Sequence, residues 1–227
     1  MELVMACFLL ISFYFLSRQA ASVSVWMNSE AVQKKENVIV LDPGHGGSDP
    51  GMIGVNGLEE KGINLAVTLL LKEKLEEKNY TVVLTRETDQ GLYDESARNK
   101  KAQDMQRRIA LIEETAPVLT LSIHQNSYHD PEVKGPQVFY YETSEGGREL
   151  AENIQESLNT VLEVERPREI KGNTSYYLLK RSKGVLVIAE CGFLTNPEEA
   201  KLLQTKEYQE RVAAALADGI GRYLKKT

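Results

Sequence analysis

Short apolar runs and amphipathic stretches alternate along most of the chain. Residues 38–41, all apolar and three of them β-branched, predict a strand buried on both faces, and Asp42-Pro43-Gly44 ends it abruptly. From 59 to about 79, Ile63, Ala66, Val67 and Leu70 recur at helical spacing with Lys and Glu opposite them. A second strand follows at 81–85, then a polar loop at 86–98, and then a helix at about 104–114 with Met105, Ile109 and Ile112 on one face. Residues 118–124 and 138–141 predict two more strands, the latter after the break at Gly135-Pro136, and residues 147–162 a helix. An edge strand is expected at 176–179, and the last strong strand at 184–190. Asn196-Pro197-Glu198 is a helix-start signal, and the final helix is expected at 207–224. Strands that alternate with helices predict an α/β fold: a single-domain three-layer sandwich with a mainly parallel, mixed sheet and helices on both faces.

The first residues break this pattern. Residues 3–16 form an almost unbroken apolar run about as long as a signal-peptide core, so residues 1–22 are expected to be a signal peptide or an uncleaved membrane anchor. A buried structural helix is the alternative. Only Glu2 lies between Met1 and the run, so the basic flank of an export signal is missing, which a misplaced start codon would explain. Residues 23–37 read as a polar tether and 38–225 as the folded domain. The apolar run follows Cys7 instead of preceding it, which argues against lipidation there. Cys191 is then the only cysteine of the folded domain, excluding an internal disulfide, and its apolar surroundings fit a buried small side chain better than a nucleophile. The chain has 227 residues, room for one substantial core, and its net charge of −6 without a dense basic block argues against nucleic acid as a partner.

Candidate chemistry gathers at strand ends. His45 follows the first strand between glycines, which leaves room for a metal ion or substrate, although a tight turn with a solvent-facing histidine would read the same way. Gly44-x-Gly46 is a weak dinucleotide signal, since the third glycine is misplaced. His124 ends the third predicted strand and Glu190 the last. In a mainly parallel sheet these ends share one rim, where ligands gather. With Glu60 at the start of the first helix, the inventory is two histidines and two carboxylates, enough for a His₂Glu zinc site and one general base. His129 is expected in an exposed loop.

Together, residues 38–51, the Glu60-Lys61 pair, the run Ser122 to Asn126 and the run Glu190 to Asn196 resemble the zinc-dependent N-acetylmuramoyl-L-alanine amidases of the amidase-3 family. Asp104-Met105-x-x-Arg108, Gly135-x-Gln137-Val138-Phe139-Tyr140 and Tyr176-Tyr177-Leu178-Leu179 resemble its spore-cortex, germination-specific branch in endospore formers. The resemblance implies that His45, Glu60 and His124 hold Zn²⁺ and that Glu190 is the catalytic carboxylate. Glu60 is preferred because it directly precedes Lys61, with Glu59 as the fallback. Asn126 and Arg108 are candidate substrate-binding residues; Asn126 could instead orient His124, and a helical Arg108 could equally pair with a sheet-end carboxylate. Gln125-Asn126-Ser127 departs from the Ala-Asn-Ala of many relatives. The implied activity is hydrolysis of the amide between N-acetylmuramic acid and L-alanine in peptidoglycan, outside the cytoplasm, by a secreted or anchored protein with room for an accessory activator. The alternatives are a zinc carboxypeptidase acting on wall peptides, which would need an arginine clamp for a terminal carboxylate, and a non-catalytic peptidoglycan-binding protein.

Overall fold

The computed structural model describes residues 35–226. The expected leader, Cys7 and most of the tether lie outside these residues. Six strands form one sheet: β1 (Lys35–Pro43), β2 (Thr81–Leu84), β3 (Pro117–Asn126), β4 (Gln137–Tyr141), β5 (Lys171–Asn173) and β6 (Leu186–Phe193), in the order β2-β1-β3-β6-β4-β5. β2, β1, β3 and β6 are mutually parallel, β4 runs antiparallel to β6, and β5 is parallel to β4. The helices are α1 (Glu60–Glu76), α2 (Lys100–Thr115), α3 (Glu145–Val161), α4 (Tyr177–Arg181), α5 (Pro197–Leu203) and α6 (Lys206–Lys226). The expected α/β architecture with a mainly parallel, mixed sheet is the one observed. Among the described residues no helix is long and apolar enough to cross a membrane.

Strand alternation divides the core in two. Ile39, Leu41, Leu119, Leu121, Val187 and Ala189 pack with α1, α3 and α6 in one cluster. Val40, Leu186 and Ile188, one residue out of step, pack with Ile112 of α2 and with Leu178 and Leu179 of α4 in the other. The second face turns polar toward the carboxyl ends of the strands, because Asp42, Ser122, His124 and Glu190 continue its parity. β1 pairs with β2 on one side and β3 on the other, so the chain reverses its winding at the β1/β3 boundary. A crevice opens beyond the strand ends at such a switch point.

Two expectations need correction. Residues 176–179 are not an edge strand, since Tyr177–Arg181 is a short helix and the edge strand is β5, a few residues earlier. Asn173 Oδ1 accepts from the backbone N–H groups of Ser175 and Tyr176, which turns the chain out of β5. Consecutive Leu178 and Leu179 are both buried, which a helical turn achieves and a half-exposed edge strand does not. β1 also begins at Lys35, so the last three residues assigned to the tether belong to the ladder.

One buried ion pair fixes the end of β1. The Asp42 and Arg108 side chains are each 2% exposed and 2.6 Å apart. Ser122 Oγ donates to Asp42 Oδ2 and Thr85 Oγ1 to Oδ1, both at 2.6 Å, so β1, β3, the end of β2 and α2 meet at one carboxylate. Burial pushes the Asp42 carboxyl upward, and the Arg108 charge with the two hydroxyl donors outweighs it, leaving a pKa of about 2 against an ordinary 3.8. Because the folded value is depressed, the stabilisation is present above pH 3.8 and is lost as pH falls toward 2. It amounts to about 2 kcal/mol. Arg108→Met strands the buried carboxylate, at a cost of about 3–5 kcal/mol at pH 7 in denaturant unfolding. Asp42→Asn should flatten the loss of stability between pH 4 and pH 2, and an unchanged acid limb would contradict this assignment.

Candidate metal centre

The loop after β1 carries His45 into the switch-point crevice. Its residue conformation is left-handed, with φ of 64°, uncommon for a side chain other than glycine. Two arginines grip the carbonyls that set this turn. Arg86 donates from Nε to Pro43 O and from Nη2 to Gly44 O, each at 3.0 Å. Arg108 donates from Nη1 to Pro43 O at 3.0 Å and from Nη2 to His45 O at 2.6 Å. Arg86 lies in the stretch read from sequence only as a polar loop. A basic residue directly after a buried strand was the available signal.

α1 starts at Glu60, whose carboxylate is almost wholly buried and fully engaged. Oε2 accepts from Met52 N at 2.8 Å, and Oε1 from Gln125 N at 3.0 Å and Asn64 Nδ2 at 3.1 Å. His45 Nε2 stands 3.1 Å from Oε2, and His124 Nδ1 2.9 Å from Oε1. The two imidazoles meet edge to face with centroids 4.9 Å apart. One donor atom from each of His45, Glu60 and His124 lies within 4.8 Å of the others, a grouping that could hold a metal ion. Glu59, the fallback, faces out, with a side chain 49% exposed beside Lys61.

The electrostatics of this group favour a cation. Burial alone would lower the His45 imidazole, and the Asp49 and Glu60 carboxylates outweigh it and take its pKa up to about 9. Burial pushes the Glu60 carboxyl upward, and the two histidines more than offset this, holding it well below the usual carboxylate range. Gly44 and Gly51 leave the necessary space. A Cβ on Gly44 would overlap the His124 ring, and one on Gly51 would overlap the Glu60 carboxylate and the His45 ring.

Glu190 sits beside this group on β6, in register with His124 on β3. Its Oε2 is buried without a hydrogen-bond partner. Burial, reinforced by the Glu60 charge, pushes the Glu190 carboxyl up to about 7 against the opposing pull of the histidines. A cleft of about 420 Å³ exposes Glu190, His45 and His124, with Tyr176, Tyr177 and Met105 among its walls. A larger groove of about 680 Å³ between Ile53 and Tyr128 contains none of the three clustered side chains and not Glu190, so the chemistry belongs to the smaller cleft.

The other sequence candidates fall elsewhere. Arg108 borders the cleft, but its donors are committed to Asp42, Asp104 and backbone carbonyls, which gives it a positioning place instead of a substrate-facing one. Asn126 lies at the end of β3 with its side-chain oxygen on Ser127 N and its carbonyl on Leu194 N. His129 is exposed. Cys191 is fully buried, and burial pushes its thiol up, as suits a packed and unreactive side chain.

A parallel-sheet rim bearing two histidines, a buried carboxylate and a second, unpartnered carboxylate has the side chains of a metallohydrolase. Residues 39–222 match the N-acetylmuramoyl-L-alanine amidase family model, and the chain belongs to this amidase-3 family. It is 36% identical over 189 residues to the germination-specific N-acetylmuramoyl-L-alanine amidase of Bacillus subtilis, covering 82% of this chain and 79% of that protein. The fold is similar to that of the CwlD amidase from Clostridioides difficile, solved in complex with the GerS lipoprotein, with a TM-score of 0.82, 39% identity, and coverage of 84% of this chain and all of that one. It is also similar to the amidase AmiC2 of Nostoc punctiforme, with a TM-score of 0.73, 30% identity, and coverage of 85% and 99%.

Gly44→Ala should fold yet bind a divalent metal at least about 10-fold more weakly, since displaced ligands and their supports typically cost 10–100-fold in affinity. Competition with a chromophoric chelator measures this. Unchanged affinity would contradict the seating of His124 over Gly44.

Proposed function

We propose that the chain is a zinc-dependent amidase that cleaves the bond between N-acetylmuramic acid and L-alanine, removing stem peptides from spore-cortex peptidoglycan, with His45, Glu60 and His124 as the zinc ligands and Glu190 as the catalytic carboxylate. The observation that carries this reading is the unpartnered Glu190 Oε2 beside the His45 and His124 rings in one cleft, with the buried Glu60 carboxylate within reach of both imidazoles. Two imidazole nitrogens and a carboxylate oxygen are a donor set that zinc takes in catalytic sites. Bound zinc supplies Lewis acidity at the scissile carbonyl and makes water acidic enough to attack near neutral pH.

The protein's own groups account for the remaining steps. Asp42 and the two arginines hold the His45 turn, and three donors hold the Glu60 carboxylate in place. Glu190 takes the proton released by the attacking water and returns it to the L-alanine nitrogen as the carbon–nitrogen bond breaks. Its burial keeps the carboxylate basic enough for that transfer. The products are a free lactyl carboxylate on the sugar and a stem peptide with a free amino terminus. A carboxypeptidase would need an arginine free to clamp a terminal carboxylate, and the guanidinium that borders this cleft, Arg108, is committed internally. A non-catalytic binder leaves the isolated buried carboxylate without a purpose.

The spore-cortex role is supported by the Bacillus subtilis relative, and an accessory lipoprotein partner by the complex in which the CwlD amidase was solved. Both support a proposed action outside the cytoplasm.

Mass spectrometry of purified peptidoglycan after incubation should show intact stem peptides that begin with L-alanine. Chelation should abolish their release and added zinc restore it. Glu190→Gln should retain zinc and lose roughly 10²–10⁴-fold in turnover. Near-normal turnover would remove Glu190 from the mechanism, and release of C-terminal residues alone would favour the peptidase.

A further inference from the structure

The loop between His45 and Glu60 holds a further carboxylate, that of Asp49. Asp49 Oδ2 lies 3.1 Å from His45 Nδ1, the nitrogen turned away from Glu60. The carboxylate is itself held. Its Oδ1 accepts from Gly51 N at 3.1 Å, and Lys101 Nζ lies 3.4 Å from Oδ2. Reciprocal backbone bonds between Gly46 and Asp49, at 3.0 and 3.1 Å, close the turn that brings Asp49 back over the ring. The turn is tied down at its outer side, where Gly47 N donates to Asp89 and Ser48 N to the Tyr93 hydroxyl.

We propose that Asp49 is a positioning residue for the metal centre, fixing the tautomer and ring orientation of His45 so that Nε2 presents its lone pair beside Glu60. The inference rests on the zinc reading above. A neutral imidazole carries one proton, and a metal needs the nitrogen that lacks it. A carboxylate at Nδ1 keeps the proton there, because the other tautomer would set a lone pair against the negative Oδ2. The backbone of His45 is fixed separately through its carbonyl by Arg108, so backbone and ring have independent restraints. The same contact makes the imidazole a more basic ligand.

The test is the zinc dissociation constant of the whole protein, read by competition with a chromophoric chelator, together with the visible spectrum of the cobalt-loaded form. Asp49→Ala should weaken zinc by roughly 10–100-fold and shift the cobalt bands. Asp49→Asn can still accept from Nδ1–H and should fall between wild type and Asp49→Ala, which keeps the test usable if the alanine variant fails to fold. Lys101→Ala removes a partner of Asp49 without touching His45 and should leave the affinity within about 2-fold, well short of the effect of the outer-sphere carboxylate. Zinc binding by folded Asp49→Ala or Asp49→Asn equal to wild type, with an unchanged cobalt spectrum, would overturn the inference while leaving the zinc reading intact. A wild-type protein that binds no zinc would overturn both.

Discussion

The buried contact between Asp42 and Arg108 is the constraint on which the site depends. It lies where β1 stops, and a strand end has backbone carbonyls that no ladder satisfies. Arg108 answers two needs together: it neutralises a carboxylate that burial would otherwise penalise, and it takes up the carbonyls of Pro43 and His45. Arg86 takes up the carbonyls of Pro43 and Gly44 from the neighbouring strand end. Two guanidiniums this close repel each other, and burial with that repulsion draws the Arg86 pKa down to about 10. The negative charges of Asp42 and Asp104 keep the arrangement affordable, and the left-handed His45 is held in a turn that would otherwise relax.

From this anchor the site follows by register. The parity that sends Val40 to one face of the sheet sends Asp42 there too, and across the sheet it does the same for His124 and Glu190. The pairing of His124 with Glu190 sets the proposed metal ligand beside the proposed base. Glu60 arrives from the first turn of α1, and Asn64, one turn later, binds both its carboxylate and Gly44 O. Glu60, His124 and Glu190 are set by regular elements, and the loop after β1 supplies His45 together with the space around it, as the overlaps at Gly44 and Gly51 make plain.

Five of the six described strands are legible because their apolar runs are short and bounded by turn residues, whereas β5, Lys-Gly-Asn, has no apolar residue to show it. The convergence of His45, His124 and Glu190 was legible because each follows directly on such a run. The 176–179 segment was misread because two tyrosines before two leucines have the composition of a strand, and composition does not show the Asn173 turn that redirects the chain. Sequence leaves Arg108 open between a substrate contact and a partner for a sheet-end carboxylate, because a helical arginine near a site looks the same in either case, and the structure pairs it with Asp42. Arg86 and Asp49 were missed for a related reason: each acts through another residue, and the partner becomes visible only when β1 and β2, or the two ends of one loop, are brought together.

The central claim is that two histidines and one carboxylate of this chain bind a single zinc ion, and X-ray absorption spectroscopy at the zinc edge addresses it directly. The zinc-loaded protein should show only light ligands at about 2.0–2.2 Å, with outer-shell scattering that accounts for two imidazoles. The imidazole signal should fall by half in His124→Ala. A sulfur shell near 2.3 Å, or a spectrum unchanged by loss of His124, would contradict the account.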